Sequence, residues 1–117
     1  MFPELAALLF VSREFAHRAH LQTPGFSEHK ALEEFYTELT ELTDKLVEVY
    51  QGRHGVISIP FCDAGIQPTT LETLKGHMAI IESVRMDAIG PDTPIQNIVD
   101  EIVGVYLRTI YKLTRLH

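Results

Sequence analysis

Between residues 27 and 51 apolar side chains recur at helical spacing, and this stretch constrains the chain more than any other. Leu32, Phe35, Leu39, Leu42, Leu46, Val49 and Tyr50 fall on one arc of a helix. Beside that arc, in a stripe roughly 100° wide, lie His29, Glu33, Asp44 and Glu48. The stripe borders the core face and carries two i,i+4 pairs of metal-capable groups, His29/Glu33 and Asp44/Glu48. Ser27 is a suitable N-cap and Gly52 a suitable stop.

The flanking segments have the same helical texture. Residues 3–21 predict an amphipathic helix with Leu5, Leu8, Leu9, Ser12, Phe15, Ala16 and Ala19 on one arc. Its His17 and His20, at i,i+3, project to neighbouring parts of one side. A short turn over residues 22–26, with Pro24-Gly25, folds the second helix back on the first and brings both histidines near His29. Thr69 and Glu72 form a capping box for a third helix, with Leu71, Leu74, Met78, Ile81 and Val84 or Arg85 inward, ended by Gly90-Pro91. Thr93 caps a fourth, with Pro94 at N1 and Gln96 completing a second capping box, and its core stripe is Ile95, Ile98, Val99, Ile102, Tyr106, Ile110 and Leu113.

Residues 53–68 differ. Gly55, Pro60, Gly65 and Pro68 surround a β-branched patch, 56–59, which reads as a long crossover loop or, as the alternative, a short strand. Short, long and short connections between four helices predict an all-α fold. It is a four-helix bundle with one long crossover between the second and third helices, the ferritin-like wiring, in a single domain over residues 1–117.

The 117 residues carry a net charge of -6, which argues against nucleic acid as a partner, because phosphate neutralisation needs clustered Lys and Arg. Cys62 is the only cysteine, so a reducing, cytoplasmic setting is expected. The apolar run 5–11 is too short to span a bilayer and lacks the basic flank of a signal peptide, so it reads as core. His54 reads as solvated, His77 as a helix-border residue beside core Met78, and Tyr36 and Tyr50 as core-edge aromatics.

Carboxylate and imidazole without thiolate suit iron, manganese or zinc. Glu33 and Asp44 are eleven residues apart, about 16 Å along a helix, so one metal ion cannot reach both ends of the stripe. Either the two halves are unrelated, or an antiparallel copy of the helix brings Asp44 and Glu48 opposite His29 and Glu33. In a twofold dimer the second arrangement builds two identical shared sites.

Residues 17–52 resemble the ferroxidase region of the Dps family, the mini-ferritins of the ferritin-like superfamily. His17, His29, Glu33, Asp44 and Glu48 reproduce its spacing without a gap. Arg18 follows His17 where that family commonly has Trp, and His20 takes the same role if the connecting loop is three residues shorter. Either histidine can therefore be the first ligand. The resemblance implies Fe(II) bound and oxidised at a twofold interface, with His17 or His20, His29 and Glu33 from one chain and Asp44 and Glu48 from the other. The lysine-rich tail of the DNA-coating members has no counterpart here, so DNA binding is not carried over. The small size and residues 97–113 also resemble a little-studied family found in phages. The alternative reading is a non-catalytic helical interaction or structural protein with a vestigial or zinc-binding site.

Overall fold

A computed structural model of the chain describes residues 1–63 and 65–117. It contains four α-helices: α1 (Phe2–Gln22), α2 (Phe26–His54), α3 (Thr70–Ile89) and α4 (Thr93–Arg115). Among the described residues there is no strand, and the β-branched patch 56–59 is irregular. Ala64, inside the expected long loop, lies outside the described residues.

α1 packs against α2 and α3, and α4 packs against the same two, which closes the helices into a ring around one core. Leu9, Leu32, Phe35, Leu39, Leu46, Leu74, Ile81, Ile95, Ile102 and Tyr106 fill that core. Each large apolar side chain withdrawn from water contributes about 1.5–3 kcal/mol. At 1.5 Å per residue the 29 residues of α2 span about 43 Å. That is the full long dimension of the molecule, 43 Å.

Ion pairs record the direction of α4 along α2. Glu34 meets Lys112, Glu38 meets Arg108 at 3.3 Å, Lys45 meets Glu101 at 3.7 Å, and Arg53 meets Asp92 at 2.7 Å. One numbering rises as the other falls, so the two helices are antiparallel. Exposed pairs of this kind add little stability individually. No helix is long and apolar enough to cross a membrane among the described residues.

Helix ends depart from expectation where two signals compete. Ser27 is not the N-cap of α2; Gly25 is, in an extended conformation. The turn is closed instead by Thr23, whose Oγ1 donates to Glu28 at 2.8 Å and accepts from the Gly25 N–H at 3.2 Å. Gly52 does not stop α2, which continues to His54 and ends at Gly55, where φ is +86°. The extra turn sets His54 beside Tyr50 one helical turn earlier, with ring centroids 4.3 Å apart and the rings tilted by 35°. Gly90, with φ +77°, ends α3 as expected.

Thr69 caps α3, its Oγ1 accepting from the Glu72 N–H at 3.1 Å. Thr69→Ala is expected to cost about 1 kcal/mol, measured as a lowered urea midpoint with an unchanged slope. The capping box expected at α4 does not form. Asp92 is the N-cap residue, and its carboxylate is turned to Arg53. The Gln96 side chain reaches back to α3, donating to the carbonyls of Gly90 at 2.8 Å and Arg85 at 3.1 Å.

Candidate functional site

The last turns of α1 and the first turns of α2 meet across the tight turn 23–25, and their histidines meet there. The His20 and His29 rings stack with centroids 3.7 Å apart and planes 20° apart. Each ring's Nδ1 contacts the other residue's main-chain carbonyl at 2.7 Å. A carbonyl can only accept, so both Nδ1 atoms carry protons and donate. In a neutral ring the lone pair is then on Nε2. His20 is buried and His29 half-buried, so the rings are held rather than freely rotating.

His17 is exposed and takes a different partner, stacking on Tyr36 at 4.4 Å. Its ring centroid lies 6.2 Å from that of His20. Of the two candidate first histidines, His20 and not His17 is the one whose ring pairs with His29. Glu33, one turn beyond His29, is half-buried and lies 3.4 Å from Lys30. Asp44 and Glu48 are exposed further along α2. Neither forms an ion pair among the described residues. No three His, Cys, Asp or Glu side chains gather closely enough to hold a metal ion among the described residues. One chain alone therefore offers a histidine pair at one end of the stripe and an acid pair at the other.

A second polar cluster lies inside the core. Tyr106 donates its phenol proton to Ser12 Oγ at 2.6 Å, and Ser12 Oγ lies 2.5 Å from His77 Nδ1. Having accepted from Tyr106, the serine has one proton to give, and Nδ1 is the acceptor in reach. The remaining proton of a neutral His77 is then on Nε2, a buried atom without a hydrogen-bond partner among the described residues. Burial pushes the His77 pKa below its ordinary value, opposed by the main chain at Gly65. Burial likewise pushes the Tyr106 phenol up, opposed by its contact with Ser12.

His77 is therefore not a border residue: it is 1% exposed, while its neighbour Met78 is only partly buried. The sequence did carry a signal for this cluster. Ser12 falls on the apolar arc of α1, and a hydroxyl placed there needs a buried partner.

A cavity of about 610 Å³ opens between α1 and the irregular segment that follows α2. Ala7, Val11 and Phe15 line one wall, and Ile59, Phe61 and Ile66 the other.

A model of a family described as "Family of unknown function (DUF5856)" matches residues 20–113. The chain belongs to DUF5856. The match takes in His20, His29, Glu33, Asp44, Glu48, His77 and Tyr106, and leaves His17 outside it. This DUF5856 chain is also similar to the "Uncharacterized 14.6 kDa protein in mobD-ri intergenic region" of Enterobacteria phage T4. The two are 33% identical over 116 residues, covering 95% of this chain and 86% of that protein. No solved structure matches significantly.

Membership of DUF5856 overturns the resemblance to the Dps mini-ferritins; neither match leads to that family or to the ferritin-like superfamily. The reason is physical. Histidines and acids at i,i+4 beside an apolar stripe are what any long amphipathic surface helix produces, so five matching positions reflect helix period as readily as kinship.

Proposed function

We propose that this DUF5856 chain binds Fe(II) as a substrate and oxidises it at a His/carboxylate site shared between two copies. One observation carries the reading: the stacked His20/His29 pair with both Nδ1–H groups bonded to main-chain carbonyls. That arrangement fixes tautomer and ring orientation for metal-ligating histidines and leaves Nε2 as the donor. Imidazole with carboxylate, and no thiolate, suits iron, with manganese and zinc as the competing ions.

Helix length supplies the second half of the argument. Asp44 and Glu48 are too far along α2 to join His29 and Glu33 in one chain, and both are exposed. A second copy of α2 running antiparallel presents those acids to the histidine end, and the twofold axis repeats the site. Histidines orient the ion, and the carboxylates stabilise the Fe(III) product as dioxygen or hydrogen peroxide takes the electrons. His17 stands by as an exposed outer imidazole. The partner is thus the chain itself, as a twofold dimer or larger homo-oligomer, in a reducing cytoplasm.

The same reading includes the finer topology. We take residues 55–63 and 65–69 as parts of a crossover along the length of the bundle, which is ferritin-like wiring as a path and not as a relationship. In its support, Ile57 is tied to Gln51 at one end and Gln67 to Thr73 at the other. Between them Ile59 and Ile66 line, with α1, the cavity described above.

The test follows Fe(II) oxidation by absorbance for the native chain, His29→Ala and Glu48→Ala. Losing one ligand from either end is expected to slow oxidation by at least about 10–100-fold, the scale of losing even an outer-shell partner. Equal rates in all three discard the reading. A second reading, a non-catalytic helical interaction protein with a vestigial site, draws on the lack of three convergent ligands in one chain among the described residues. It predicts no iron oxidation above buffer.

A further inference from the structure

The cavity between α1 and the segment that follows α2 takes no part in the histidine site, and no α2 residue lines it. Phe61 stands at its lip and is fully exposed, while Phe10 and Ile66, which also line it, are exposed as well. Pro60, the preceding residue, stiffens the backbone that presents the Phe61 ring. A single apolar side chain in water means little. Several grouped around a hollow mark a surface that another molecule covers. At about 610 Å³ the hollow is in the range that takes drug-sized groups, and a benzyl side chain is smaller than these.

Charges on the same rim select the occupant. Arg13, Glu14, Arg18 and Asp63 line the cavity. Glu14 and Arg18 pair with each other at 3.6 Å. Arg13 and Asp63 form no ion pair among the described residues, not even with one another. Arg13 is half-buried, so its charge is partly withdrawn from water with no carboxylate beside it. The rim thus presents an unmatched cation and an unmatched anion together. A strongly acidic or strongly basic partner satisfies one and opposes the other. A second copy of the chain satisfies both, because a twofold axis sets the cation of each copy against the anion of the other.

We propose that the chain associates with a second copy of itself through this face, each copy seating Phe61 in the other's cavity and pairing Asp63 with the partner's Arg13. Knob and hollow lie on one patch, so the surface is complementary to itself, as a twofold contact requires. Asp63 follows Phe61 by two residues, at most about 7 Å of chain, and is carried across the axis with it. Each contact withdraws two aromatic rings from water, since each copy gives one and receives one. Aromatic anchors seated in a partner's pocket are the side chains that dominate such interfaces. The contact uses α1 and the segment after α2, so it is independent of the antiparallel α2 pairing proposed above. Where both form, the assembly is larger than a dimer.

Sedimentation velocity of the full chain over a wide range of concentration is the test. The variants are Phe61→Ser, Arg13→Asp, Asp63→Arg and the double variant Arg13→Asp/Asp63→Arg, each checked for folding by circular dichroism. Phe61→Ser is expected to weaken association at least about 30-fold, the scale of losing an aromatic hot spot. Either charge reversal alone sets like charges across the axis and is expected to weaken it at least about tenfold. The double variant is expected to recover native association. Cys62 lines the cavity and is the chain's only cysteine, so a short bismaleimide is expected to join native copies through it. If a variant does not fold, that link in the native chain decides alone. A native chain that stays monomeric throughout overturns the proposal. So does association that a folded Phe61→Ser leaves unchanged, a folded double variant no tighter than its single reversals, or associated native copies that Cys62 does not link.

Discussion

Tyr106→Ala is expected to destabilise the chain by about 3–5 kcal/mol, the range for removing a fully buried aromatic ring. Tyr106 is completely buried and packs edge-on against Phe35, with centroids 4.9 Å apart. Truncation removes that contact, leaves a cavity at the centre of the bundle and takes away the proton that Ser12 Oγ accepts. Native domains are stable by only about 5–15 kcal/mol, so the loss is a large share of the whole. Tyr106→Phe separates the two contributions. It keeps the ring and removes one hydrogen bond, at an expected cost of about 0.5–1.5 kcal/mol. Urea unfolding followed by far-UV circular dichroism measures both. Similar costs for the two variants would mean that the hydroxyl chain, and not the ring, organises this part of the core.

The same residues explain how far the sequence could be read. Four helices were legible because their apolar arcs keep one period over many turns and because Thr69 and Gly90 are strong end signals. The ends of α2 were not, because capping is decided between near-equal choices. Thr23 satisfies Glu28 and leaves Ser27 inside the first turn, and the helix runs past Gly52 to His54, whose ring lies beside Tyr50 one turn earlier. At α4 the expected cap lost to partners on other helices: Asp92 turns to Arg53 and Gln96 to the end of α3. Such competitions depend on what lies opposite, which spacing along one helix does not contain.

The candidate site was legible in part. That His17, His20 and His29 approach one another followed from the short turn alone. Which of the first two pairs with His29 depends on turn geometry and on Tyr36, which occupies His17. His77 was misplaced because Leu74, Met78 and Ile81 define an apolar arc that also fits a helix turned so that Thr73 and His77 face inward. The Ser12 hydroxyl was the clue. The likeness to mini-ferritins had the opposite fault, reading a pattern that helix period itself generates as evidence of family.

The shared site makes the second large prediction, and it is also the most direct test of the central claim. His29→Ala removes the histidine end, and Glu48→Ala the acid end, so each variant alone is expected to lack Fe(II) oxidation. Unfolding the two together in equal amounts and refolding them lets copies assort at random. Half of the dimers then carry one copy of each kind. In each mixed dimer one of two sites joins an intact histidine end to an intact acid end, while the other has neither. About a quarter of the native oxidation rate is therefore expected to return, from twofold symmetry alone. A mixture that stays as inactive as its two components, with both variants folded and dimers formed, would contradict a site shared between antiparallel copies of α2.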